Sequence, residues 1–321
     1  VKSDVVVLEY LRRRFNHALS LIGLLFGARA AFVCLPFFFK KEMLRNMAHH
    51  CYDMVVSAGA LPAVVNLAIG IQDDAKSVAV MRPGILPVER FDIVIMPEHD
   101  RPPSLANVLV TVGSLNTVGI ESIKRDFEIL ASLYPSLNKE AISGKLKIGV
   151  LIGGNSKNYK LTEDMAAFLC GQLKKALDDL DGHLFLTTSR RTPMDVAGAL
   201  KNCFKNDPRV KLFVVAAKDN PQGTVGGIFY LCDIVIVSGE SISMVSEAVA
   251  SGKHVVVFEP RSRTENNKVR RYLNFLAGKQ YIYLLKLNDI YDKLSWIVSE
   301  KPKPNALDAK SQILEGLRKI L

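Results

Sequence analysis

The stretch IVIVSGESISMVSEAVASGKHVVVFEP, residues 234–260, predicts a strand, a helix and a second strand. The apolar runs 234–237 and 255–258 are typical of strands that are buried on both faces. Gly252 marks the expected end of the helix between them. A strand, a crossover helix and a further strand form a βαβ unit, so this stretch predicts a parallel sheet.

The turn between the first strand and the helix carries hydroxyl groups and unpaired backbone amides. Its residues are Ser238, Gly239, Glu240, Ser241 and Ser243. A helix N-terminus at the carboxyl end of a parallel strand favours an anion, especially a phosphate. The turn therefore predicts an anion-binding site.

The same alternation extends on the amino-terminal side of this stretch. Apolar runs at 147–152, 183–187 and 210–216 predict further strands, and helical patterns lie between them. Together they predict a doubly wound parallel sheet from residue 144 onward, followed by a final amphipathic helix at 306–321. Short apolar runs before residue 144, including 5–8, 53–57 and 92–96, predict a second α/β domain over residues 1–143.

Composition narrows the class of partner. The net charge of +10 and the pI near 9.3 favour anionic partners, which are nucleotides, phospholipid or nucleic acid. The basic residues show no zinc-finger spacing and no repeat with aromatic residues, so nucleic acid is not expected. The odd set of five cysteines, without a C-x-x-C pair, indicates reduced thiols in a cytoplasmic protein.

One apolar stretch, residues 15–41, has two interpretations. A membrane-spanning helix requires roughly 18 uncharged apolar residues in a row. No run in the sequence reaches this length, so we expect no membrane-spanning helix. The stretch is interrupted by Arg29 and flanked by basic residues. It is either a core helix with an apolar continuation or a surface that rests on anionic lipid at the inner face of a membrane.

Three loops at the carboxyl ends of predicted strands carry candidate binding residues. The first contains Gly153, Gly154, Asn155 and Ser156, where glycines allow a phosphate to approach the backbone, although a plain turn is the alternative. It lacks the G-x-G-x-x-G spacing, which argues against a dinucleotide cofactor and against an oxidoreductase.

The second loop contains Ser189, Arg190 and Arg191, whose guanidinium groups could clamp a diphosphate or could lie in solvent at a helix entry. The third contains Ser241 and Ser243, followed by Glu247 in the helix. Here the serines could hold phosphate oxygens and Glu247 could accept ribose hydroxyls, or the three could only complement the helix N-terminus.

Five segments together resemble the mitochondrial-fission Elm family. They are PEHD (97–100), GSLN (113–116), LIGGNSKNYKLTED (151–164), TTSRRTP (187–193) and SGESISMVSEAVASGKHVVVFEP (238–260). The resemblance implies GT-B architecture, with two Rossmann-like domains facing a cleft, and glycosyltransferase activity. It covers nearly the whole chain from about residue 53 to 276. Family members usually begin with a strand and a Gly-His loop that this chain does not show.

The element around Ser241 and Glu247 is more distantly similar to the nucleotide-sugar site of the bacterial lipid-intermediate N-acetylglucosaminyltransferase. That similarity implies that Glu247 binds ribose. Residues 144–321 would then bind a nucleoside-diphosphate sugar, and residues 1–143 would face a glycan or lipid-linked acceptor. No metal and no cofactor are expected, because helix amides and basic side chains can stabilise the departing diphosphate.

The catalytic base is expected in the first domain. His99 and Asp100 follow a predicted strand and are the candidates, although both could instead satisfy local backbone groups. Plant members of the family are associated with recruiting division machinery to mitochondria, which implies a second reading. In it the chain is a non-catalytic adaptor that retains a nucleotide-sugar-like pocket.

Overall fold

The computed structural model describes residues 3–11, 17–48, 51–137, 144–264, 267–307 and 309–320. The chain divides into two compact units: Val1–Val112 with Lys310–Leu321, and Gly113–Ala309. Each unit contains a parallel sheet with helices packed on it. The predicted α/β class with two Rossmann-like domains is therefore confirmed, and the cleft between the domains stays a prediction.

The first unit contains a four-stranded parallel sheet whose strands pair in chain order. Its elements are α1 (Ala18–Phe38), α2 (Lys41–Ala48), β1 (Met54–Ala58), α3 (Ala60–Asp73), β2 (Lys76–Val80), β3 (Ile93–Pro97) and β4 (Val108–Thr111). The strand expected at residues 5–8 is wrong. Val5 is 91% exposed, and β propensity alone does not produce a strand where no neighbouring surface packs against it.

Helix α1 is interrupted at Gly27, whose φ of 85° is non-helical. One face of α1 packs against α3 through the buried residues Leu19, Ala31 and Leu35. By length and composition the helix could cross a membrane, with a mean hydropathy of 2.0 over its most apolar window. The core helix of a soluble protein and a signal sequence meet the same criterion.

The second unit contains a six-stranded parallel sheet. In spatial order the strands are β12 (Tyr283–Leu285), β10 (His254–Phe258), β9 (Ile234–Ser238), β5 (Leu146–Ile152), β7 (Gly182–Thr188) and β8 (Val210–Val215). From β5 the chain moves outward to β7 and β8, and then returns to the other side of β5 to form β9. The strand order therefore reverses between β5 and β9, which is the place where open α/β sheets bind ligands.

Helices pack on this sheet, and loops follow the ends of its strands. They are α4 (Ile120–Leu133), α5 (Glu163–Asp179), α6 (Met194–Cys203), α7 (Thr224–Leu231), α8 (Ile242–Ala250), α9 (Lys268–Gly278) and α10 (Ile290–Glu300). A short antiparallel ribbon joins β6 (Tyr159–Lys160) to β11 (Arg261–Ser262). Thr162 caps α5 by accepting a hydrogen bond from the Met165 amide. The strand β12, at the sheet edge, was not predicted.

The boundary between the units differs from the one expected near residue 144. Helix α4 belongs to the second unit because it packs on α7, where the rings of Phe127 and Tyr230 stack at 4.8 Å. The terminal helix α11 (Ala309–Ile320) belongs mainly to the first unit. Its residues Ile313 and Leu317 pack on a buried cluster that includes Ile93.

Candidate functional site

Two hydrogen bonds join the loops that leave β5 and β9, at the point where the strand order reverses. The amide of Gly153 donates to Ser238 Oγ at 2.7 Å. The amide of Gly154 donates to Glu240 Oε1 at 2.8 Å. The predicted loops that contain Gly153 and Ser241 are therefore neighbours in the fold.

The loop that leaves β7 joins the same cluster. The amide of Ser189 donates to the carbonyl oxygen of Ile152 at 2.7 Å. The hydroxyl of Thr192 donates to the carbonyl oxygens of Ile152 and Gly153. Thr192 lies just before α6, and its hydroxyl ties this loop to the end of β5. The structure thus brings together all three predicted loops.

The two glycines are required by the close packing of these loops. A Cβ on Gly153 would overlap Glu240 Oε1, and a Cβ on Gly154 would overlap the backbone carbonyl of Arg191. Both residues are buried, and both amides are already used by Ser238 and Glu240. The phosphate contact predicted for these amides would need a rearrangement of the loop.

Glu240 is the residue that sequence reasoning missed. It is 5% exposed, and its Oε2 is buried without a hydrogen-bond partner among the described residues. Burial raises the pKa of its carboxyl to about 6, against the lowering effects of hydrogen bonds from Ser238 and Gly154 and of the Arg191 charge. An acidic residue two positions after the fully buried strand β9 was the available signal.

The other residues of the first two loops divide by their hydrogen bonds. Asn155 Oδ1 accepts from the Leu161 amide at 2.9 Å, and Ser156 Oγ accepts from the Tyr159 amide at 3.1 Å, so both stabilise the local turn. Arg191 is exposed and approaches the Asn155 carbonyl at 3.4 Å. Arg190 is also exposed, and in the described part of the chain it has no hydrogen bond or ion pair. Its guanidinium is available to an anion.

The residues predicted on α8 lie along its first two turns. Ser241 caps the helix, with its Oγ 3.5 Å from the Met244 nitrogen, and Ser243 is exposed. Glu247 is half-buried, and burial raises the pKa of its carboxyl. Ligand contacts by these three residues stay predictions.

A buried hydroxyl pair attaches the GSLN segment to α8. Ser246 Oγ lies 2.6 Å from Tyr272 Oη of α9 and 3.2 Å from the Ser114 amide, which donates to it. A Cβ on Gly113 would lie 2.9 Å from that tyrosine oxygen. The segment that carries part of the family resemblance thus supports the helix that carries Glu247.

The predicted catalytic residues lie in the first unit. His99 and Asp100 form a short 3-10 helix directly after β3. His99 is only 9% exposed, and Asp100 is half-buried. Arg82 donates to the carbonyl oxygens of Asp100 at 3.0 Å and Arg101 at 3.1 Å, which holds the turn. Their catalytic role stays a prediction.

No group of three or more His, Cys, Asp or Glu residues within the described ranges could hold a metal ion. The polar end of α5 is used in local pairs. Arg209 pairs with Asp178, Tyr291 donates to Asp179 at 2.7 Å, and Lys145 pairs with Asp181 at 2.5 Å.

Two solved structures resemble the chain in its overall course. One is a glycosyltransferase from Rickettsia africae, 13% identical, with a TM-score of 0.44 over 87% of this chain and 74% of that chain. The other is a UDP-GlcNAc 2-epimerase from Neisseria meningitidis bound to UDP-GlcNAc, 13% identical, with a TM-score of 0.49 over 91% and 82%. At these TM-scores the likenesses identify no activity.

Two relatives are similar in sequence. An uncharacterized protein of Rickettsia prowazekii is 27% identical over 251 residues, which cover 70% of each chain. The mitochondrial fission protein ELM1 of Arabidopsis thaliana is 24% identical over 192 residues, or 53% of this chain and 42% of that protein. The family model described as Mitochondrial fission ELM1 matches residues 26–311. The chain therefore belongs to the mitochondrial fission ELM1 family.

Proposed function

We propose that the protein is a metal-independent glycosyltransferase that takes its sugar from a nucleoside-diphosphate sugar. The observation that carries the proposal is the junction of three polar loops where the strand order reverses between β5 and β9. Hydrogen bonds from Gly153 to Ser238 and from Gly154 to Glu240 hold that junction. Ligands of open α/β sheets bind at such positions.

The exposed groups around the junction suit a diphosphate. Arg190 and Arg191 are exposed on one side, and the N-terminus of α8 presents Ser241 and Ser243 on another. Guanidinium groups bind phosphate oxygens through paired hydrogen bonds, and a helix N-terminus adds favourable partial charge. These groups would also stabilise the nucleoside diphosphate as it leaves, so the reaction needs no metal ion.

Glu247 supplies the proposed contact to ribose. It lies on α8, one turn beyond Ser243, and its carboxyl is half-buried. A carboxylate accepts hydrogen bonds from two neighbouring hydroxyls, which is the pattern that a ribose ring offers.

In the transfer, an acceptor hydroxyl oxygen forms a bond to the anomeric carbon, and the bond from that carbon to the diphosphate breaks. The hydroxyl proton passes to a base. His99 and Asp100 are the proposed bases, and Asp100 is the more accessible of the two. The acceptor is proposed to be a glycan or a lipid-linked molecule.

A peripheral contact with an anionic membrane would bring a lipid-linked acceptor to a cytoplasmic enzyme. Helix α1 exposes several large apolar side chains, and Lys40 and Lys41 follow it as exposed cations. The exposed apolar residues are Leu25, Phe26, Val33 and Phe37, at 63%, 72%, 69% and 79%. Apolar side chains beside basic ones are typical of surfaces that rest on anionic lipid.

The second candidate is a non-catalytic adaptor. The observation that favours it is that the Gly153 and Gly154 amides are satisfied within the protein, by Ser238 and Glu240. An adaptor would keep this junction for stability alone. Release of the nucleoside diphosphate from a panel of nucleotide sugars, measured in the presence of a chelator, separates the two, because the adaptor retains a nucleotide-sugar-like pocket but predicts no turnover.

A further inference from the structure

Glu240 holds a carboxylate against an amide that the loop would otherwise offer to a phosphate. Its Oε1 accepts the Gly154 N–H at 2.8 Å, and Gly153 has no side chain that would displace the carboxylate. The second oxygen, Oε2, is buried and lacks a hydrogen-bond partner among the described residues. Glu240 follows β9, and its buried carboxylate lies against the loop that leaves β5, at the point where the strand order reverses.

Backbone N–H groups that recognise a phosphate oxygen also recognise a carboxylate oxygen. The two anions cannot share one amide, and their repulsion is strong because the site is removed from water. We propose that Glu240 is a resident anion that competes with the diphosphate of the ligand, so that the ligand binds only when Glu240 is protonated. The proposal rests on the nucleotide-sugar function proposed above.

The surroundings of Glu240 determine when it takes up a proton. Hydrogen bonds from its own backbone amide, from the Ser238 hydroxyl and from the Gly154 amide favour the ionised form, and the charge of Arg191 in the β7 loop adds to them. The neighbouring side chains from the helices are apolar, with Met244 of α8 beside Gly153 and Leu273 of α9 beside Gly239. Burial has the largest effect and raises the pKa to about 6, so mild acidity protonates the group.

The proton balance of the step is simple. The carboxylate takes one proton from solvent, and no covalent bond between heavy atoms forms or breaks. Neutral Glu240 no longer repels the diphosphate, and the Gly154 amide becomes available to a phosphate oxygen. Binding at neutral pH is therefore accompanied by the uptake of nearly one proton.

The test is calorimetric titration with UDP-N-acetylglucosamine and GDP-mannose at pH 5, 6, 7 and 8. The diphosphate of these compounds does not titrate in this range. For the wild type, we expect Kd to be about tenfold weaker at pH 7 than at pH 5, since only about a tenth of the protein is then competent. Glu240→Gln should bind equally at all four values. Glu163→Gln, an exposed charge change at the start of α5, should behave as the wild type.

Titrations in two buffers of different ionisation enthalpy measure proton uptake on the wild type, so a folding defect in Glu240→Gln leaves the proposal testable. Binding without proton uptake at pH 7, or a pH dependence that persists in a folded Glu240→Gln protein, overturns it.

A second probe separates this proposal from the proposed function. Sulfate does not titrate above pH 5, and its stabilisation of the protein is read as a shift in Tm. One outcome is that no nucleotide sugar binds, while sulfate stabilises the wild type more at pH 5 than at pH 7 and stabilises Glu240→Gln equally at both pH values. In that case only the proposed function fails. If sulfate stabilises both proteins alike at both values, the competition by Glu240 is overturned.

Discussion

Gly153 and Glu240 lie so close that any side chain on the glycine would overlap the carboxylate. The contact joins a loop after β5 to a loop after β9, although the two residues are far apart in sequence. It explains why a glycine follows β5, where its amide donates a hydrogen bond to Ser238 Oγ.

The first prediction concerns Gly153 and Gly154. Gly153→Ala should lower the free energy of unfolding by about 1–3 kcal/mol, because Glu240 must move in a packed interior. Gly154→Ala should cost at least as much, because the added Cβ meets the backbone of Arg191. Chemical denaturation measures both. Gly171→Ala is the control: Gly171 is an exposed position of α5 where an added Cβ meets nothing within 4 Å, so this variant should gain about 0.5–1 kcal/mol.

The second prediction concerns the pH dependence of stability. The carboxyl of Glu240 has a pKa of about 6 in the folded protein and 4.5 as its ordinary value. The folded state therefore binds more protons between these values, and stability falls as the pH rises through this window. The loss is about 2 kcal/mol. Unfolding free energies measured from pH 4 to pH 7.5 should show this loss in the wild type relative to Glu240→Gln. Parallel curves for the two proteins would contradict it.

Five of the six strands in the sheet of the second unit were predictable, because buried parallel strands are apolar runs. The runs at 234–237 and 255–258 correspond to β9 and β10. The position of the hydroxyl-rich turn followed from the same pattern, since a parallel strand places its carboxyl end beside those of its neighbours.

The direction of individual polar side chains could not be predicted. Glu240 turns into the protein because Gly153 leaves room for it, and that fit involves residues distant in sequence. The hydroxyl of Thr192 donates to the carbonyl oxygen of Ile152 at the end of β5, not to a group of its own helix. This contact too joins residues that are distant in sequence. The domain boundary was displaced because α4 finds its apolar partner in α7, which no local pattern near residue 144 reveals.

The third prediction concerns Glu247. If its carboxylate accepts ribose hydroxyls, Glu247→Ala removes hydrogen bonds worth about 1.5–3 kcal/mol and weakens nucleotide-sugar binding by about 10-fold to 100-fold. The melting temperature should change little, because burial already penalises the ionised carboxyl. Calorimetry and thermal denaturation of the same variant test both statements. Unchanged affinity would remove Glu247 from the site, and a collapsed melting temperature would make its role structural.

The fourth prediction concerns the exposed apolar face of α1. The double variant Phe26→Ser and Phe37→Ser should lose most of its binding to vesicles that contain anionic lipid, because both rings are largely exposed on the protein. Sedimentation with the vesicles measures the bound fraction. Ile120→Ser is a matched control, since Ile120 is 83% exposed in the second unit. Equal sedimentation of the double variant and the wild type would exclude α1 as the lipid contact.

The central claim is that the loops at the ends of β5, β7 and β9 bind a nucleoside-diphosphate sugar without a metal. The most direct measurement is calorimetric titration of the wild type and Arg190→Ala with several nucleotide sugars in the presence of EDTA. At least one compound should bind the wild type, and loss of the exposed guanidinium should weaken that binding about tenfold or more. A wild type that binds none of the compounds, or binds only with added Mg²⁺, would contradict the claim.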